Sequence, residues 1–307
     1  MASAALPRDA ALSLARPRWQ TIAMRAAVLL AMAISFFPIF WLFSTSFKPV
    51  EDWAAWPPVW IPEQPTLQNY RIVFFPEAAR AFAEVQKGSL NYKVSGSAWK
   101  AFGDSAIVST FATFFSVLFG TLAAWSITRY GTGGRSFAMQ FLSVRMMPPI
   151  AVVVPIVAVF SLLRLSDTYV GLILAYTAFT LPFSVWMIRS FIADVPSELE
   201  GAAMVHGMSA FRAFTRITLP LIQGGVLATA LFVFILNWSE FLFALVLTSG
   251  HVVTVTLQVA NYVSASSGKL YGVQAAMGAI STLPVILFGY LIQRHLVRGL
   301  TFGAVKR

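Results

Sequence analysis

ELEGAAMVHGMSAFRAFTRITLPL, residues 198–221, is the longest polar interruption in the second half of a very apolar sequence. It carries Glu198, Glu200, Arg212 and Arg216. Ala203, Val205, Ala210, Phe211 and Phe214 recur at steps of about three to four, the period of an amphipathic helix. Gly207 breaks the run, and Pro220 stops it where the next apolar run begins. On period alone the stretch reads as a surface helix in a loop between two apolar spans.

The flanks show what kind of spans these are. The chain is 58% hydrophobic and only 11% charged, whereas soluble domains carry about a quarter charged residues. Its net charge of +10 comes from cations beside apolar runs, the place for anchoring at an anionic leaflet. No basic-aromatic patch lies outside the runs, which excludes a nucleic-acid partner. There is no cysteine, hence no disulfide, thiolate site or cysteine nucleophile. His206, His251 and His295 are too scattered for metal-ligand spacing.

Taken in order, residues 1–20 read as a polar tail with Arg8, Arg16 and Arg18, followed by an uncleaved first span ending at Phe47. A signal peptide has a shorter apolar core and a small-residue cleavage site. Residues 48–103 form a long segment outside the bilayer, in which WAAWPPVWIPEQP is expected to run extended along the interface. Further apolar runs cover 105–128, 136–163, 169–188, 221–239 and 272–293, each about the length that crosses a 30 Å hydrocarbon core. The sequence thus predicts an all-α, polytopic membrane protein with six transmembrane helices. Its parts are a tail (1–20), a first span (21–47), an external segment (48–103), a five-helix core (104–293) with a loop at 189–220, and a tail (294–307).

Six spans place both ends on one side, and the positive-inside rule says which. The short loops on the other side carry only Arg164 and Lys269. The side of the termini carries Arg25, Arg129, Arg135, Arg189, Arg212, Arg216 and the basic residues of both tails. The termini and the 189–220 loop are therefore cytoplasmic.

No catalytic constellation is visible. A Gly-x-x-x-x-Gly-Lys-Ser/Thr phosphate loop is missing, and GTGGR at 131–135 follows a span and reads as a turn. Arg145 stands within the third apolar run beside Met146, Met147, Pro148 and Pro149. An arginine there costs about 2.5–3.5 kcal/mol on insertion scales, so it faces a partner or a wet cavity. Glu240, in Asn237-Trp238-Ser239-Glu240-Phe241, reads either as an interfacial carboxylate or as a polar group on a path.

The spaced residues of the opening stretch resemble a known signature. From position 201 the pattern is x-Ala202-Ala203, three residues, Gly207, nine residues, then Ile217-x-Leu219-Pro220. This resembles the "EAA" segment of membrane subunits of binding-protein-dependent ABC importers. Asn69-Tyr70, Met147-Pro148, Leu181-Pro182, the Asn237–Phe241 box and the final Gly299-Leu300-Thr301-x-Gly303-Ala304-Val305-Lys306 are similar to boxes of the carbohydrate-importer permeases, of the kind exemplified by the maltose importer's second subunit. Two positions depart: Gly201 stands where the family has Glu, beside Glu200, and His206 stands where Asp precedes the glycine.

The resemblance implies a cytoplasmic coupling helix, with Glu200, Gly201, Ala202, Ala203, His206, Gly207, Ile217, Leu219 and Pro220 at the contact with an ATPase. It implies a multi-pass subunit of the bacterial cytoplasmic membrane, paired with a homologous permease, two ATP-binding subunits and an external solute-binding protein. The chain itself is expected to be no enzyme and to hold no cofactor, ATP being bound by the partners. For a carbohydrate solute, Arg145, Asn237 and Glu240 are expected along the path, with Trp238 as a stacking face. An ion-coupled secondary transporter is the alternative. It calls for paired intramembrane carboxylates or inverted repeats, and neither is seen.

Overall fold

Backbone groups in hydrocarbon have no water to bond, so long apolar runs satisfy them within helices. The computed structural model describes residues 18–85, 97–134, 140, 143, 148–264 and 268–291, and within them the chain is almost entirely helical. Helix α1 (Arg18–Ser46) is followed by the short α2 (Gln68–Phe74) and α3 (Pro76–Val85). Then come α4 (Ala98–Tyr130), α5 (Pro149–Leu162) and α6 (Tyr169–Ala193). The 189–220 region holds α7 (Ser197–Val205) and α8 (Ala210–Ala213). Helix α9 (Gln223–Trp238), α10 (Leu242–Leu247) and α11 (Val255–Asn261) lead to α12 (Tyr271–Ser281), which continues to Leu291 beyond a turn at Thr282.

Among the described residues α1, α4, α6 and the extended α12 are long and apolar enough to cross a membrane; Ala210–Leu221 and α9, bent by 76° to each other, reach that length only together, as a broken span or a re-entrant loop. Of the predicted third span, the described part is the 14-residue α5. The loops outside the spans carry structure of their own. The 53–65 stretch holds no helix, and α2 and α3 follow it within 48–103. The polar 248–271 region holds α11 and a two-residue antiparallel ladder, β1 (Val263–Ser264) with β2 (Gly268–Lys269), Val263 opposite Lys269. Thr254 starts α11 by accepting from the Leu257 N–H, a capping choice that outweighs the polar composition.

Three buried clusters are strung along α4, and each takes side chains from it. Ala98 and Ala101 join the first, with α2 and α12; Val108 and Ala112 join the second, with α6 and α10; Ala124 and Ile127 join the third, with the end of α6. Helices α4 and α6 pack tightly at Gly120, where a Cβ would come within 2.5 Å of the Ser184 Cβ. The Ser116 and Ser184 hydroxyls bond there at 2.8 Å. Small residues let helix backbones approach in a membrane, where no water is left to drive association. Asn69 fixes the C-terminal end of α1, its Nδ2 donating to the Ser46 and Lys48 carbonyls at 2.9 Å each. The apolar side chains of α1, such as Leu29, Leu30 and Phe36, stay exposed; that face suits lipid or a partner helix.

Candidate functional site

The 197–218 stretch folds as a hairpin of helical pieces. Glu198 and Glu200 in the first turn of α7 suit the positive end of its dipole. The helix ends at His206, and Gly207 takes φ +87° with nothing within 4 Å of where a Cβ would sit. Only glycine adopts that region without strain. Ser209 then caps α8 by accepting from the Arg212 N–H. A π turn, Phe214–Thr218, follows, close before Pro220, which offers no N–H to an α-helical ladder.

Two parts of the sequence reading are corrected here. The spaced apolar residues do not share one face. Ala203 and Phe214 are buried, while Val205 is 87% and Phe211 57% exposed. Ala203 and Val205 stand two residues apart in one helix, about 200° around its axis, so they point to opposite sides before Gly207 is reached. Pro220 does not end the helical path either, which bends at Ile222 and runs on as α9.

Beneath this exposed tip lies a buried root. Glu200 is 3% exposed. Its Oε1 accepts from Arg129 Nε at 3.1 Å and from the Thr218 hydroxyl, and its Oε2 accepts from Trp125 Nε1 at 3.3 Å. Arg129 Nη2 also donates to the Val195 carbonyl at 2.9 Å. The Trp125 ring stacks on Phe214 with centroids 4.6 Å apart. One carboxylate thus ties α7 and the π turn to the end of α4, whose Gly131 cap at φ +63° stops the helix just past Arg129. Glu200 faces inward, away from the solvent side that carries Ala202, Met204, Val205, His206 and Gly207. Gly201, Ile217 and Leu219 are half-buried, and Pro220 is exposed. Sequence reading missed Trp125, Arg129 and Thr218. The one local signal is the i, i+4 spacing of Trp125 and Arg129 at the end of a span, which puts both on one helix face.

The path residues are arranged differently. Arg145 lies outside the described residues, as do 1–17 of the first tail and all of the second. Asn237 is 2% exposed, and its Nδ2 donates to Thr113 Oγ1 at 3.1 Å. Its Oδ1 accepts no hydrogen bond among the described residues. Trp238 donates its indole N–H to the Ser281 carbonyl at 3.0 Å. Glu240 caps α10, accepting from Phe243 N at 3.1 Å with both oxygens and from Ala244 N at 3.3 Å. Trp238, Ser239, Phe241, Thr256, Gln274 and Ser281 line a cleft of about 620 Å³ between α9, α11 and α12. That is within the size range of small-molecule sites, and Trp238 is the predicted path residue that borders it.

At the opposite end of α4 two further acids shape a loop. Asp104 accepts from Lys100 Nζ at 2.6 Å, Tyr169 OH at 2.7 Å and Val253 N at 2.7 Å. Asp167 accepts from Ser249 Oγ and from the His251 and Val252 N–H groups at 2.8–3.1 Å. Burial pushes the Asp167 carboxyl up, but these donors outweigh it and hold the group well below the usual carboxylate range.

Residues 116–302 match the family described as binding-protein-dependent transport system inner membrane component. The chain is 35% identical to the probable ABC transporter permease protein y4oR of Sinorhizobium fredii, over 88% of this chain and 90% of that protein. It is 31% identical to the trehalose transport system permease protein SugB of Mycobacterium tuberculosis, over 90% of this chain and 94% of that one. A bacterial ABC transporter involved in the import of the acidic polysaccharide alginate shares the fold at 18% identity. There the TM-score is 0.66, over 91% of this chain and 98% of that one. The chain belongs to the family of binding-protein-dependent transport system inner membrane components, the permease subunits of ABC importers.

Proposed function

We propose that this permease subunit forms half of the translocation pore of an ATP-driven carbohydrate importer in the bacterial cytoplasmic membrane, and that residues 204–211 dock on an ATPase subunit. The observation that carries the reading is the hairpin itself. Leu199, Met204, Val205 and Phe211 expose apolar surface at the tip of a loop rooted by a buried ion pair. Loose apolar tips are unfavourable in water, and a rigid root is what lets a push on the tip move the pore. Ala202, His206 and Gly207 belong to this contact. Gly201, Ala203, Ile217, Leu219 and Pro220 shape it, and Glu200 braces it from below. A homologous permease completes the pore, two ATP-binding subunits supply hydrolysis, and an external binding protein delivers the solute. This chain binds no cofactor of its own.

A carbohydrate solute is supported by the relative named for trehalose transport. The aromatic, hydroxyl and amide lining of the 620 Å³ cleft adds a surface suited to sugar faces and hydroxyls. Arg145, Asn237, Trp238 and Glu240 are the residues assigned to the path.

Reconstituted with its partners in vesicles, the assembly should take up a sugar with ATP present and ion gradients collapsed. Uptake that follows an ion gradient instead would sink the proposal. A panel of neutral and anionic sugars assigns the solute, and Arg145→Gln should lower uptake of an anionic member selectively if Arg145 reads that charge. Gly207→Asp adds bulk at the open tip. It should leave the permease folded but lower uptake by about tenfold or more, a loss of roughly 1.4 kcal/mol in coupling. Wild-type uptake and ATPase stimulation in this variant would remove the tip from the contact.

A further inference from the structure

The root of the coupling hairpin and the 249–254 loop are held by opposite ends of one helix. At one end of α4, Arg129 and Trp125 hold Glu200. At the other, Asp104, 4% exposed, holds Val253 N and Tyr169 OH. Ser105 Oγ accepts from Val255 N at 2.8 Å, and Lys100 Nζ donates to the His251 carbonyl at 2.5 Å. A helix of 33 residues is about 50 Å long. Between its ends α4 contributes to all three buried clusters and hydrogen-bonds α9 through Thr113 and Asn237. Neither loop is joined to α4 by sequence: Glu200 is 71 residues from Arg129, and Val253 is 149 from Asp104.

We infer that α4 is the rod that carries displacement of the coupling hairpin to the 249–254 loop, with Arg129–Glu200 as its inner joint and Asp104 as its outer joint. Coupling between distant sites runs through rigid elements and hydrogen-bonded contacts, and a side-chain lock at each end of a continuous helix supplies both. Arg129 and Asp104 are positioning residues that touch no solute. The source of the push, an ATPase on residues 204–211, is the reading proposed above; the linkage through α4 does not depend on it.

The linkage is read by amide hydrogen exchange on the assembled permease pair in lipid nanodiscs. Arg129→Ala is expected to speed exchange at both 197–205 and 249–254 by about fivefold or more, the low end of typical coupling between sites, while 28–40 of α1, which has no part in the three clusters along α4, stays unchanged. Faster exchange at 197–205 with no change at 249–254 overturns the rod. So does equal speeding at 28–40, which marks general loosening. If Arg129→Ala does not assemble, Asp104→Asn reads the rod from the other end. It should loosen 249–254 and, through α4, 197–205; a purely local effect again overturns it. Val205→Lys, at a tip side chain 87% exposed, should leave both segments at wild-type exchange, so failure of docking, seen as ATPase association that persists in this variant, is separable from failure of the rod.

Discussion

The two ends of α4 are both secured by carboxylates, yet they are secured in different ways. At the inner end a single acid, Glu200, gathers side-chain donors from α4 and from the π turn, and its closest charge, Arg129, is itself largely buried. At the outer end Asp104 takes two side-chain donors, Lys100 and Tyr169, and one backbone N–H, while Asp167, in the turn before α6, takes the successive N–H groups of His251 and Val252 in the same loop. Side-chain-to-side-chain locks fix helices relative to one another. Carboxylates on successive backbone N–H groups fix the path of a loop. The inner arrangement suits a joint that must transmit force, and the outer one suits a loop that must keep its shape.

The largest expected effect tests the inner joint. Arg129→Ala leaves Glu200 buried without its counter-charge, which should cost about 3–5 kcal/mol, read as a lowered unfolding temperature of the purified permease pair. Glu200→Gln keeps one oxygen for Arg129 and Thr218 and loses the acceptor for Trp125; Arg129 retains that oxygen and the Val195 carbonyl, so this change should cost less. Equal losses would mean that the charge pairing is not what holds the root.

A middle-sized effect is expected at the outer end. Asp104→Asn weakens charge-assisted hydrogen bonds, each worth about 1.5–3 kcal/mol, and Lys100 remains free to turn to water because its side chain is 46% exposed. A loss as large as that of Arg129→Ala would break the comparison between the two ends.

The smallest effect concerns pH at Asp167. Its folded pKa lies below the unfolded value, so its stabilisation of the loop is fully present above the unfolded pKa of about 4 and fades as pH falls through the lower folded value. Protection of the Val252 amide should therefore be constant from about pH 5 to 8 after correction for intrinsic exchange. A drop within that range would assign the clamp to another group.

Much of the fold was legible because a membrane leaves the chain few choices. Long uncharged runs such as 105–128 must be helical, and the spaced Ala202-Ala203, Gly207 and Ile217-x-Leu219-Pro220 located the hairpin. Gly207 was legible as a break because its freedom at positive φ is a local property. The Asn69-Tyr70 pair was visible as a box, but its use was not: the amide that ties α1 to α2 reaches carbonyls more than twenty residues back.

By itself the sequence determined the class of protein and the position of the hairpin at 197–218. Both follow from composition, period and backbone rules that act within a few residues. Only the tertiary structure decided that Glu200 turns inward onto Arg129, that Val205 and Phe211 are left outside, and that the Trp238 indole donates to the Ser281 carbonyl. The direction of a side chain is set by which distant group arrives within about 3 Å, and no local pattern carries that separation.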